Sequence, residues 1–174
     1  WWRHEASKQA SVNKDVSGMP GIGILAAGDP AQIVGNRVRD FEHIGVLLWG
    51  GPDCLVAQNS VREGGNEYDE SVGYELLGLI GGVVDSNRAY RMDRGGMLVT
   101  GEDTLIRRNR LRRCDSYGLV VGEQDERRKE PLAKEIHAPG RPFFPYAHGM
   151  RVQQNIVRRT RDEGLRVAAG EGII

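Results

Sequence analysis

The sequence has no apolar run approaching the ~18 residues of a membrane-spanning helix. It also has no basic stretch leading into an apolar one at its start, as a secretory leader has; it opens Trp1-Trp2-Arg3-His4, without an initiator Met. A processed or truncated start is expected, which leaves export open. There is no excess of either charge: Lys plus Arg and Asp plus Glu are 24 each. That balance gives no reason to expect nucleic acid or a membrane surface as a partner. Cysteine is scarce, and Cys54 and Cys114 stand at no metal-ligand spacing. Runs of the strong helix formers Ala, Leu, Glu and Lys are few. Glycine is plentiful, at 24 of 174 residues, which suits many short strands and tight turns. The length is enough for one domain with a real core.

What is present is a repeat, the feature that decides the fold. Asn36, Asn59, Asn87, Asn109 and Asn155 each follow a branched aliphatic by three residues: Ile33, Val56, Val84, Ile106 and Val152. Two residues after each comes Val38, Val61, Ala89, Leu111 or Val157. A glycine then opens a triplet with apolar first and third places, at Gly45, Gly73, Gly96, Gly118 and Gly164. The triplets supply Val46 and Leu48, Tyr74 and Leu76, Met97 and Val99, Leu119 and Val121, and Leu165 and Val167. The steps are 23 (36 to 59), 28 (59 to 87), 22 (87 to 109) and 46 (109 to 155). The core period is therefore 22–23, with a short insertion after Asn59 and a large one at 123–149. An earlier, degenerate coil ends in Gly23-Ile24-Leu25-Ala26, and residues 1–20 form an N-terminal segment or a further degenerate coil. Ile174 falls where the next coil's first aliphatic belongs, so a cut through a longer solenoid is expected.

Alternating triplets are short strands with one face inward, and Val and Ile suit that slot. One coil cannot bury its inner face alone, so coils stack at the interstrand spacing of ~4.8 Å and equivalent residues form ladders. Asparagines stacked at a bend satisfy each other and the nearby backbone, and a glycine at each strand start is expected to supply a φ that other residues resist. A leucine-rich repeat has an overlapping period. It wants a leucine two residues before the aliphatic, where this chain has Ala31, Cys54, Gly82, Thr104 and Met150, so that reading is disfavoured. Cys54 and Cys114 fall at different points of the repeat, which argues against a disulfide.

From Gly21 to Ile174 the repeat resembles the right-handed parallel β-helix of pectate lyases, mannuronan epimerases and related polysaccharide-acting proteins, and of tailspikes and periplasmic accessory proteins. The expected fold is all-β: a right-handed parallel β-helix of about five to six coils. The resemblance implies an exported protein, secreted or periplasmic, that binds or processes polysaccharide as a lyase or epimerase; the alternative is a non-catalytic scaffold. It implies nothing about nucleic acid or membrane. Family signatures of activity are missing. Asp29-Pro30 is followed by Ala31, not His, and the Asn-Thr-Asp and Gly-His-Gly motifs of polygalacturonases, a zinc HExxH and a P-loop are absent.

Outward ladders supply the candidate sites. Three residues after the asparagines stand Arg39, Arg62, Tyr90, Arg112 and Arg158. As function, Arg39, Arg62 and Arg158 would bind the carboxylates of a uronate polymer, and Arg112 would take a proton. As structure, the column would pair with Asp40, Glu63 and other acids, each pair contributing little; the balanced net charge favours this second reading. Asp93 and Asp115 occupy equivalent places in adjacent coils, and the resemblance implies calcium held by such acids against an acidic sugar. The plainer reading pairs them with Arg91, Arg94 or Arg113. The insertion ends Pro142-Phe143-Phe144-Pro145-Tyr146-Ala147-His148. Tyr146 is placed to stack on a sugar, and His148 or Tyr146 to act as general acid or base. The same insertion is expected to pack over the outward apolar residues Leu47, Leu98 and Val120, beside Trp49.

Overall fold

The computed structural model describes residues 21–64, 71–122, 147–167 and 170–171. β1 (Ile22–Ala27) closes a first partial coil. Each later coil adds three main strands, and the final two coils each add a short fourth. They are β2 (Gln32–Val34), β3 (Arg37–Arg39) and β4 (Ile44–Trp49); then β5 (Leu55–Ala57), β6 (Ser60–Gly64) and β7 (Val72–Ile80). Next come β8 (Val83–Asp85), β9 (Arg88–Met92) and β10 (Gly95–Glu102), then β11 (Leu105–Arg107), β12 (Arg110–Cys114) and β13 (Tyr117–Val121). Across the insertion, β14 (Ala147–His148) closes that coil, and the last coil holds β15 (Arg151–Gln153), β16 (Ile156–Arg158), β17 (Glu163–Val167) and β18 (Gly170–Glu171). Every pairing is parallel and joins one coil to the next. The first sheet runs β1-β4-β7-β10-β13-β17, with β14 and β18 alongside; the second runs β2-β5-β8-β11-β15; the third runs β3-β6-β9-β12-β16. This is the stacked solenoid expected. The insertion proved shorter than expected at its end, because Ala147 and His148 pair with Gly101 and Glu102 of β10. The rest of the insertion and the N-terminal segment lie outside the described residues.

The core is four inward columns. Ile33, Val56, Val84, Ile106 and Val152 line the second sheet. Val38, Val61, Ala89, Leu111 and Val157 line the third. The first sheet gives two, one through Val46, Tyr74, Met97 and Leu119, the other through Leu48, Leu76, Val99 and Val121. These residues are essentially fully buried up to the last coil, where Leu165 and Val167 stand open. Burial pushes the Tyr74 phenol far up, and its hydroxyl donates to the Arg88 carbonyl at 3.1 Å. Cys54 and Cys114 are buried free thiols, and burial pushes Cys114 up to about 12.

The asparagine ladder forms as the repeat implies. The backbone N–H and the Nδ2 of Asn59 both donate to Asn87 Oδ1, at 3.1 and 3.0 Å, while Asn87 Nδ2 donates to the Val56 carbonyl at 2.8 Å. Asn87 and Asn109 repeat the pattern, as do Asn109 and Asn155. The ladder's neighbours carry the strained backbone. Gln58, Ser86, Arg108 and Gln154, each just before an asparagine, have φ of 58, 56, 55 and 54°. A second left-handed column runs through Asp40, Glu63, Arg91, Arg113 and Arg159. Each such residue costs about 1 kcal/mol, offset by the bonds the bend permits.

The repeat's glycines play a different part from the one expected. Gly45, Gly73, Gly96 and Gly118 are absent from the positive-φ residues. They are small because the interior has no room: a Cβ on Gly73 would sit 2.5 Å from the Gly96 carbonyl oxygen and 2.9 Å from Ala89 Cβ. The requirement is close approach of coils, not a special dihedral.

Candidate functional site

Strands of the third sheet read Arg-Val-Arg, Ser-Val-Arg, Arg-Ala-Tyr, Arg-Leu-Arg and Ile-Val-Arg. With a period of two, the middle residue enters the core and its neighbours face out. Two outward columns result. One is Arg39, Arg62, Tyr90, Arg112 and Arg158, the predicted ladder; the other is Arg37, Ser60, Arg88, Arg110 and Ile156. The arginines of both columns are exposed.

The expected carboxylate partners do not engage them. Glu63 pairs instead with Arg91, at 3.4 Å. None of Arg37, Arg39, Arg62, Arg88, Arg110, Arg112 and Arg158 makes an ion pair among the described residues. The physical reason is the left-handed corner: it turns Asp40 and Glu63 away from the strand whose arginines precede them. Net neutrality of the chain therefore hides a segregated surface. Three pairs, Arg39 with Arg62, Arg88 with Arg110 and Arg112 with Arg158, stand directly opposite on neighbouring strands, an arrangement that destabilises a sheet. Tyr90 eases the middle of the face: the guanidiniums of Arg91, Arg112 and Arg113 lie 5.4, 6.0 and 5.5 Å from its ring centroid. Arg113 also donates to its hydroxyl at 2.9 Å.

Two recesses open on this face. One, of about 270 Å³, is lined by Arg37, Arg39, Ser60, Arg62 and Arg88. The other, of about 330 Å³, is lined by Ser86, Arg88, Arg108, Arg110, Gln154 and Ile156. The second is partly neutralised, because Arg108 is held by Asp85. Arg108 donates from Nε to Asp85 Oδ1 at 2.8 Å and from Nη2 to Oδ2, Ser86 Oγ donates at 2.8 Å, and Arg107 Nε at 3.1 Å. Arg108 above all, then Ser86 and Arg107, hold the Asp85 carboxyl at about 2 against the opposing effect of burial. A depressed folded-state pKa stabilises above the unfolded value of about 3.9, and that stabilisation is lost as pH falls through about 2. Because both arginines reach in from solvent, the contribution is about 1 kcal/mol. Urea midpoints of the wild type and Asp85→Asn are therefore expected to differ at pH 6 and to converge near pH 2; a gap unchanged at pH 2 contradicts this.

The other predicted residues are dispersed. His148 is exposed at the far end of the first sheet, beside Glu102, whereas Arg112 is on the third sheet. Tyr146 lies outside the described residues. Asp93 and Asp115 sit at equivalent places between the third and first sheets, and Asp115 faces Arg161 at 3.5 Å rather than Arg91, Arg94 or Arg113. Among the described residues no three His, Cys, Asp or Glu side chains gather as a metal site. On the outer face of the first sheet, Leu47, Leu98 and Val120 are buried as a second apolar cluster, with Trp49 packed against it; the insertion expected to pack over them lies, up to residue 146, outside the described residues. Glu75 occupies the same outward column and is 2% exposed.

The second arginine column was missed. Arg37, Arg88 and Arg110 recur one residue after the asparagine, and the parity of the strand alone places them beside the first column.

Residues 6–128 match the family model described as the right handed beta helix region. No curated protein and no solved structure matches the chain. The chain belongs to the right-handed β-helix family.

Proposed function

We propose that this right-handed β-helix is a polysaccharide-binding module, and that its third sheet holds an acidic polymer lying along the solenoid axis. The observation that carries this is the pair of arginine columns without carboxylate partners among the described residues. Guanidinium groups recur every ~4.8 Å along the stack, close to the rise of one sugar in an extended chain. Each can take a carboxylate through two parallel hydrogen bonds. A flat sheet face suits a linear polymer better than a compact ligand, and such a polymer would be met outside the cell or in the periplasm. Binding is favoured over turnover because His148 and Arg112 stand on different sheets.

The test is binding of polygalacturonate, dextran and single-stranded DNA to the protein at several salt concentrations. The acidic polysaccharide is expected to bind, with affinity falling steeply as salt rises, since each neutralised anion releases counterions. Dextran is expected not to bind. Absence of polygalacturonate binding, equal binding of dextran, or stronger binding of DNA would each overturn the reading.

A further inference from the structure

The arginines of the third sheet are not evenly distributed, and the unevenness names a ligand group. The smaller recess gathers Arg37 and Arg39 from β3, Arg62 from β6 and Arg88 from β9 around the hydroxyl of Ser60. No carboxylate pairs with any of these arginines among the described residues. Arg62 Nε already donates to Ser60 Oγ, at 3.3 Å, and its terminal nitrogens have no partner among the described residues. The neighbouring recess is a different environment, with Arg108 bound to Asp85 and Ile156 on its wall.

A carboxylate has two oxygens, and one guanidinium meets both of them. Guanidiniums converging from three strands offer more donors and more charge than a single carboxylate takes up. A phosphate ester has three acceptor oxygens and about −1.5 to −2 of charge near neutrality. We infer that this recess is a subsite for a tetrahedral oxyanion ester, phosphate or sulfate, carried by the bound polymer. The inference rests on the polysaccharide-binding reading and sharpens it: the preferred chain bears esterified oxyanions in addition to, or in place of, uronate carboxylates. A phosphate ester fits the charge of the recess better than a sulfate ester, which carries one charge.

The experiment compares oligogalacturonate, a phosphorylated malto-oligosaccharide and a sulfated one, matched in length and total charge, by calorimetry on the full chain. Phosphorylated chains are expected to bind at least about tenfold more tightly than oligogalacturonate. Arg62→Gln and Arg88→Gln are expected to abolish that preference, and Arg166→Gln, on the first sheet, to keep it. Far-ultraviolet circular dichroism verifies that the variants fold. Affinity for the phosphorylated chain is expected to rise between pH 5 and pH 7.5, as the ester loses its second proton near pH 6, while that for the sulfated chain stays level; a preference for the sulfated chain assigns the subsite to sulfate. Equal affinity for the uronate chain, or a preference that survives both substitutions, overturns the subsite while leaving the polysaccharide reading intact. Failure of all three chains to bind overturns both.

Discussion

Replacing Asn87 by alanine is expected to cost about 4 kcal/mol, a large part of the 5–15 kcal/mol that holds a typical domain together. The side chain lies at 0% exposure and serves two neighbours at once. Its Oδ1 accepts from the Asn59 backbone N–H and from Asn59 Nδ2, and its own Nδ2 satisfies the Val56 carbonyl. Alanine strands the Asn59 N–H and takes the side-chain donor from the Val56 carbonyl where water does not reach, while Asn59 Nδ2 keeps its bond to the Ile33 carbonyl; each orphaned group costs about 1–3 kcal/mol. Asn36→Ala provides the contrast. Asn36 donates to Val34 and Asn59, and Asn59 Oδ1 keeps the Asn36 backbone N–H as a donor, so a loss of about 1 kcal/mol is expected. Equilibrium urea unfolding measures both. Equal losses at the two positions would mean that the ladder is not what holds the bends in register.

Gly73→Ala is expected to cost about 3 kcal/mol, the upper range for overpacking a close-packed interior. The added methyl meets the Gly96 carbonyl oxygen at 2.5 Å and Ala89 Cβ at 2.9 Å. Neither can swing aside, since one is backbone paired across the sheet and the other has no rotamer to change. The coils must separate locally, which weakens the hydrogen bonds between β7 and β10. The substitution also discriminates between two roles for the glycine. At an ordinary φ, Gly→Ala in a roomy site would stabilise by reducing unfolded-state entropy, so a gain in urea midpoint would refute the close-approach explanation.

These two sites show why so much of the fold was legible. A solenoid repeats its constraints, so Asn, the flanking aliphatics and the glycine recur at fixed offsets, and the periodicity of 22–23 directly encodes the stacking. The reason for the glycines was not legible, because composition does not distinguish a residue chosen for φ from one chosen for size. The left-handed bends left no trace either: Gln58, Ser86, Arg108 and Gln154 are not residues that announce such a conformation.

The site was legible in part. Arg39, Arg62, Arg112 and Arg158 could be aligned by counting from the asparagines. The companion column escaped because Ser60 and Ile156 interrupt it. Whether the arginines were neutralised could not be read from the sequence, since Asp40 and Glu63 are adjacent in the chain but turned off the strand by the corner that follows. Glu75 had no signal at all. It occupies an outward place that Leu25, Leu47, Leu98 and Val120 fill with apolar side chains in other coils.

On the proposed function, the third sheet keeps like charges together for a ligand rather than for the fold. The most direct measurement is the urea stability of the wild type and of the Arg39→Gln, Arg62→Gln double variant, each with and without polygalacturonate. Removing an opposed pair of like charges is expected to leave the free protein about 0.5 kcal/mol more stable. The same variant is expected to lose most of the stabilisation that the polymer confers on the wild type through preferential binding to the folded state. A double variant that is less stable alone, yet gains as much from the polymer as the wild type does, would show the arginines to be structural and would contradict the account.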